Sequence, residues 1–191
     1  LQVAEDGSLN PQDIIENIKP DDPHYAITRL VSLENTTGGK AIDLERITAC
    51  SNAARKHGLS VHLDGARFFN AVTALGIEPV ELSEQADTVS ICLSKGLAAP
   101  VGSVLVGPKD LIKFADRYRK MLGGSMRQAG VLAAAGLFAL EHNVERLAED
   151  HANARRLAQG LKQIPGIVVD PEEIETNMVF FETDGAAHHL V

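Results

Sequence analysis

From Ala26 to Val106 the chain keeps switching between two hydrophobic periods, and few folds accommodate that order. Leu59-Ser60-Val61-His62-Leu63-Asp64 alternates with period two, which sets Val61 and Leu63 on one strand face and His62 and Asp64 on the other. A helix precedes it, with Asp43 as cap, Leu44, Ile47, Cys50 and Ala54 at helical spacing, and Gly58 as the stop. Upstream again, Ala26 to Leu33 reads as a buried strand running into the polar loop Glu34-Asn35-Thr36-Thr37-Gly38-Gly39. Downstream come a short helix from Phe68 to Leu75, closed by Gly76, and a second apolar strand from Thr88 to Leu93. The resulting order of strand, helix, strand, helix, strand predicts an α/β fold around a mostly parallel sheet. A further strand, Val101 to Val106, follows after only the turn at Ala98-Ala99-Pro100, too short for a crossover helix, so it is expected to run antiparallel.

The flanks are helical. Asn10-Pro11 opens a helix with Ile14, Ile15 and Ile18 along one side, and Pro20-Asp21-Asp22-Pro23 ends it. Pro108 to Met121 reads as a helix, and Met126 to Ile164 as a long alanine-rich one broken near His142-Asn143, with His142 and His151 expected at the surface. Ile167 to Val169 and Met178 to Phe181 then read as two strands after a change of character, which puts a domain boundary between Gly160 and Pro165. The chain starts at Leu1 and ends His188-His189-Leu190-Val191, and it is expected to be a fragment of something longer.

Composition narrows the function classes. A chain of 191 residues with 45% hydrophobic content can bury a real core. A net charge of -8, and no Lys/Arg run longer than two, gives no electrostatic footprint for nucleic acid or an anionic membrane. Cys50 and Cys92 sit inside apolar segments rather than at metal-ligand or disulfide spacing, which points to a reducing setting and a cytoplasmic location. No apolar run reaches bilayer length, the first residues lack a secretion pattern, and no ligand cluster for a metal is visible.

Three chemically capable side chains fall at or just beyond strand ends: Asp64 and Arg67 in Asp64-Gly65-Ala66-Arg67, and Lys95 in Ser94-Lys95-Gly96. In open α/β sheets that edge is where ligands bind. An amine and a carboxylate brought there by neighbouring strands meet the two polar demands of pyridoxal 5'-phosphate (PLP): a group to form the imine and an acid to hold the pyridine nitrogen protonated. Taken singly, a lysine after an apolar strand is more often a solvated loop residue, and Asp-Gly is a common turn dipeptide. The small residues beside both groups let the backbone approach a phosphate cofactor closely. A nucleotide-binding reading is weak, because neither G-x-G-x-x-G nor a P-loop string occurs, and Gly123-Gly124-Ser125 is more often a plain helix start than an anion site.

Four strings, in order, closely resemble the low-specificity L-threonine aldolase family: Val61 to Ala71 (VHLDGARFFNA), Ile91 to Leu97 (ICLSKGL), Pro100 to Ser103 (PVGS) and Arg119 to Gln128 (RKMLGGSMRQ). The resemblance runs from about Leu30 to Phe181. It implies the aspartate-aminotransferase-like PLP-dependent fold type I, with residues 1–160 forming part of the PLP-binding large domain and its long connecting helix, and residues 161–191 beginning the small C-terminal domain. It further implies a homodimer or homotetramer, Lys95 as the Schiff-base lysine, Asp64 as partner of the pyridine nitrogen, and Arg67 near the ring hydroxyl and substrate. Ser94, Lys120 and Arg127 fall where the family has cofactor-side contacts. The implied reaction is cleavage of L-threonine or L-allo-threonine to glycine and acetaldehyde, a step in amino-acid metabolism.

The match departs in two ways. Many family members follow Glu-Asn-Thr with a histidine proposed to lie near the substrate hydroxyl, whereas Thr37 follows Thr36 here. The upstream phosphate loop, the ring-stacking histidine and the downstream substrate-carboxylate arginine have no counterpart in the sequence. Two alternatives therefore stay open: another fold type I enzyme, a β-eliminating lyase or transaminase, and a truncated non-catalytic fragment.

Overall fold

A computed structural model describes residues 1–183 and 185; His188 to Val191, where the sequence reading placed the end of a fragment, lie outside them. The order is α1 (Pro11–Glu16), β1 (Leu30–Glu34), α2 (Leu44–Lys56), β2 (Ser60–Gly65), α3 (Phe68–Leu75), α4 (Pro79–Ser83), β3 (Thr88–Cys92), β4 (Ser103–Val106), α5 (Lys109–Met121), α6 (Gly130–His142), α7 (Leu147–Leu161), β5 (Ile167–Val168) and β6 (Glu182–Thr183).

The sheet runs β1-β2-β3-β4. The first three strands are parallel, with Leu33 opposite Leu63 and Leu63 opposite Val89. β4, which begins at Ser103 rather than Val101, turns back antiparallel on β3, because the connection over residues 93–102 holds no crossover helix. Alternation along β2 buries Val61, Leu63 and Gly65 and turns Ser60, His62 and Asp64 outward. Val31 and Leu33 of β1 and Val89 of β3 join the buried face, where Ile47, Cys50 and Ala54 of α2 and Phe68, Ala71 and Val72 of α3 cover them. Asn10 caps α1 by accepting the Gln12 amide proton, with proline at the first helical turn.

Several elements differ from expectation. β1 starts at Leu30 rather than Ala26, because its partner begins at Ser60 and the residues upstream have no strand to pair with. α4 was not anticipated: it holds five residues with only Leu82 buried, and is fixed by Glu78, whose amide donates to Glu81 Oε2 at 2.8 Å. The long helix begins at Gly130, not Met126, and breaks between His142 and Leu147. Pairing near the C-terminus falls on Glu182–Thr183 instead of the apolar run Met178–Phe181, as the partner of Ile167–Val168. His151, expected at the surface, is 5% exposed under α3, whereas His142 is exposed and stacks on Phe138.

Candidate active site at the carboxyl edge of the sheet

Parallel strands deliver their C-terminal ends to one edge, and the chemically capable residues collect there. Asp64 is the last outward-facing residue of β2, level with Glu34 of β1 and Ser90 of β3. Its Oδ1 accepts the Ala66 amide proton at 3.0 Å, which folds Asp64-Gly65-Ala66-Arg67 back toward α3 and leaves Oδ2 without a hydrogen bond among the described residues. The turn needs glycine: a Cβ on Gly65 would stand 2.9 Å from the Ser90 carbonyl oxygen and 3.0 Å from Phe68 Cβ. Because a backbone carbonyl in a paired strand cannot give way, Gly65→Ala is expected to lower stability by about 1–3 kcal/mol, read as a shift in the urea midpoint.

Lys95 and Ser94 lie exposed just past β3. Their turn is held from several sides. Ala98 N–H donates to the Lys95 carbonyl at 2.8 Å and Ala99 N–H to that of Leu93 at 2.9 Å, while Asn143 Nδ2 donates to the Leu97 carbonyl at 2.8 Å. Leu97 and Ala99 are buried with Ala139 and Leu147, so the gap between α6 and α7 forms the floor under the lysine. Arg67 is half-buried, and its Nε is fully buried with no hydrogen-bond acceptor among the described residues, which leaves a donor at this edge unused.

The structure brings Asp64, Arg67, Ser94 and Lys95 to the ends of two adjacent strands. Lys120, in the last turn of α5, and Arg127, between α5 and α6, are exposed, and neither bonds to any of those four among the described residues. His62 does not brace Asp64; its Nδ1 lies 2.7 Å from Thr88 Oγ1. A hollow of about 270 Å³ opens along β1, lined by Ser32, Glu34, Thr37, Arg46 and Cys50 among others, and touches none of Asp64, Arg67 and Lys95. Among the described residues no trio of His, Cys, Asp or Glu is arranged for a metal ion, and no helix is long and apolar enough to cross a membrane.

Sequence reasoning missed two features of this edge. The loop after β1 closes as a tight hairpin in which Thr37 and Lys40 exchange both backbone hydrogen bonds, and the segment after α7 clamps it. Thr176 Oγ1 donates to the Gly39 carbonyl at 2.6 Å, Ala41 N–H donates to Glu175 Oε2 at 2.8 Å, and Lys40 Nζ lies 3.4 Å from Glu175 Oε1. Nothing local in sequence foretells bonds between residues so far apart. Beneath the lysine turn, buried Asn70 donates through Nδ2 to His151 Nε2 at 3.1 Å. A polar residue flanked by Phe69 and Ala71 on an apolar helix was the available signal.

Burial pushes the His151 pKa down, the nearby Arg155 guanidinium adds to this, and Asp150 opposes it. The folded state therefore favours the neutral ring, while the unfolded chain takes up a proton near pH 6.5. The His151 contribution to stability is complete above that pH and is lost as pH falls below it. Urea midpoints at pH 7.5 and 5.5 should differ more for the wild type than for His151→Gln.

A family model described as Beta-eliminating lyase matches residues 1–184. The chain belongs to the beta-eliminating lyase family. Within it, the chain is 49% identical over 180 residues to the Low specificity L-threonine aldolase of Escherichia coli K12, covering 94% of this chain and 53% of that protein. It is 46% identical over 191 residues to Low-specificity L-threonine aldolase 1 of Arabidopsis thaliana, covering 96% and 53%. The chain thus spans about half the length of these relatives. The solved structure of Leishmania major threonine aldolase superposes with a TM-score of 0.73 at 22% identity, over 87% of this chain and 50% of that one. The family's fold is accordingly seen here: the α/β, PLP-dependent fold type I with its mostly parallel central sheet.

Proposed function

We propose that this chain is part of a PLP-dependent carbon–carbon lyase that cleaves L-threonine, L-allo-threonine or a related β-hydroxy-α-amino acid to glycine and an aldehyde. The observation that carries the reading is the arrival of a carboxylate and a primary amine, Asp64 and Lys95, at adjacent strand ends, in a chain half-identical to aldolases over nearly its whole length. The edge fits the cofactor in its unused donor: the buried Arg67 Nε lacks the acceptor that a phenolic oxygen or a substrate would offer.

In this reading Lys95 would hold the cofactor through Nζ. Asp64 would keep a proton on the ring nitrogen through Oδ2, since Oδ1 is occupied by the Ala66 amide. Arg67 would orient the ring hydroxyl and the substrate, and Ser94, Lys120 and Arg127 would contact the cofactor side. When bound, PLP supplies the electron sink for the Cα–Cβ bond. The Thr37 hydroxyl, which donates to the Glu34 carbonyl at 3.3 Å, is no base at neutral pH, so a water or a phosphate oxygen would have to take the β-hydroxyl proton.

Residues 1–160 then belong to the large domain and 161–191 begin the small one, and the working protein is a cytoplasmic homodimer or homotetramer. The exposed apolar side chains Phe114, Tyr118, Met121 and Leu122 along α5 support such an assembly. The test is borohydride reduction of the protein mixed with PLP, followed by peptide mass spectrometry and an assay of acetaldehyde release from threonine. Label on Lys95 with aldehyde and glycine formed in equal amounts supports the reading. Label with ammonia and a keto acid released instead would favour β-elimination, the chemistry for which the family is named. Label only in a longer protein would make this chain an inactive piece of the enzyme.

A further inference from the structure

Gly96, the residue directly after Lys95, has no room on its inner side. A Cβ there would lie 2.8 Å from Leu147 Cδ2 and 3.1 Å from Asn70 Oδ1, so the lysine turn rests against a helix side chain from α7 and an amide from α3. The amide is not free to turn, because its Nδ2 donates to His151 Nε2. Leu147 and His151 are four residues apart on α7 and therefore share one face, the face packed against α3. Both are buried, as is Asn70. One side of α7 thus meets the turn twice, directly through Leu147 and through the amide that His151 orients.

We propose that His151 and Asn70 form a buried brace that fixes the Ser94-Lys95-Gly96 turn, with His151 as a positioning residue for Lys95. The inference deepens the reading of Lys95 as the cofactor lysine and rests on it for its catalytic meaning. Mechanically it stands on contacts alone. Because an amide nitrogen only donates, Nε2 must accept, so the ring is neutral with its proton on Nδ1. Without that acceptor the Asn70 amide loses its fixed orientation, Oδ1 leaves its station beside Gly96, and Lys95 samples more directions at the sheet edge. Phenylalanine fills the same space and cannot accept; glutamine keeps a carbonyl oxygen that can.

The experiment compares wild type, His151→Phe and His151→Gln by amide hydrogen exchange of the peptide spanning residues 93–99, without added cofactor, and by borohydride trapping of PLP on Lys95. The brace predicts that exchange at Ala98 and Ala99 rises roughly five- to tenfold in His151→Phe, as for one lost buried hydrogen bond, and returns to within about twofold of wild type in His151→Gln. Trapping at Lys95 should fall in parallel and be restored in parallel. Should His151→Phe fail to fold, Asn70→Ala removes the same bond from the other helix and carries the same expectation. Unchanged exchange at 93–99 in a folded His151→Phe or Asn70→Ala protein overturns the brace. If neither this chain nor a longer protein traps PLP on Lys95, the cofactor reading falls, while the exchange result still decides the brace.

Discussion

Lys95→Ala is expected to abolish borohydride-stable attachment of PLP and to lower aldehyde release from threonine by at least about 10³-fold, within the range for a group that handles protons in the reaction. The side chain is exposed and makes no hydrogen bond or ion pair among the described residues, so its removal should leave the melting temperature nearly unchanged. That combination, lost chemistry with retained fold, separates a reacting amine from a structural one. Asp64→Asn offers a useful contrast. It preserves the acceptor for the Ala66 amide and hence the turn, but removes the charge that keeps the ring nitrogen protonated, so covalent attachment should survive while turnover drops. A variant that loses both would point to a collapsed turn instead.

The second large effect is on stability. Leu63→Ala should cost about 2–5 kcal/mol, because Leu63 is 1% exposed on the central parallel pair, opposite Leu33 and Val89, where the surrounding strands cannot collapse into the space left behind. Chemical denaturation gives the number. Leu63 and Asp64 are consecutive, one directed into the core and one toward the proposed cofactor edge, so their two substitutions divide folding from chemistry within a single peptide unit. A Leu63→Ala protein that melts early yet labels fully on Lys95 when folded is the expected companion result.

The residues explain why some of this was readable and some was not. Period two from Leu59 to Asp64 and the helical spacing of Ile47, Cys50 and Ala54 are local signals, and β2 and α2 match them within about a residue. The same strand ends located Asp64 and Lys95, since a parallel sheet sends every carboxyl end to one edge. What failed depended on partners distant in sequence. His151, on the long helix, was expected at the surface, but α3 packs over it. Met178 to Phe181 has the composition of a strand, yet the pairing partner Ile167–Val168 selects Glu182–Thr183. On α5 the apolar stripe is visible in sequence and uncovered in the structure, with no residue buried.

The clamp between the 37–40 hairpin and the segment after α7 also bears on the order in which the protein takes shape during synthesis. The bond from Thr176 to Gly39 joins residues 137 apart, and that from Glu175 to Ala41 joins residues 134 apart. At about 5–20 residues per second, the ribosome needs on the order of 7–30 s to add the stretch between them. Once β3 has been made within that interval, β1, β2 and β3 can pair and bury their shared face, but the corner beside Glu34 still lacks the bonds from Glu175 and Thr176. The site edge is therefore closed by a segment made much later than the sheet, and a nascent protein stalled before residue 175 would carry a folded sheet with an unfastened corner.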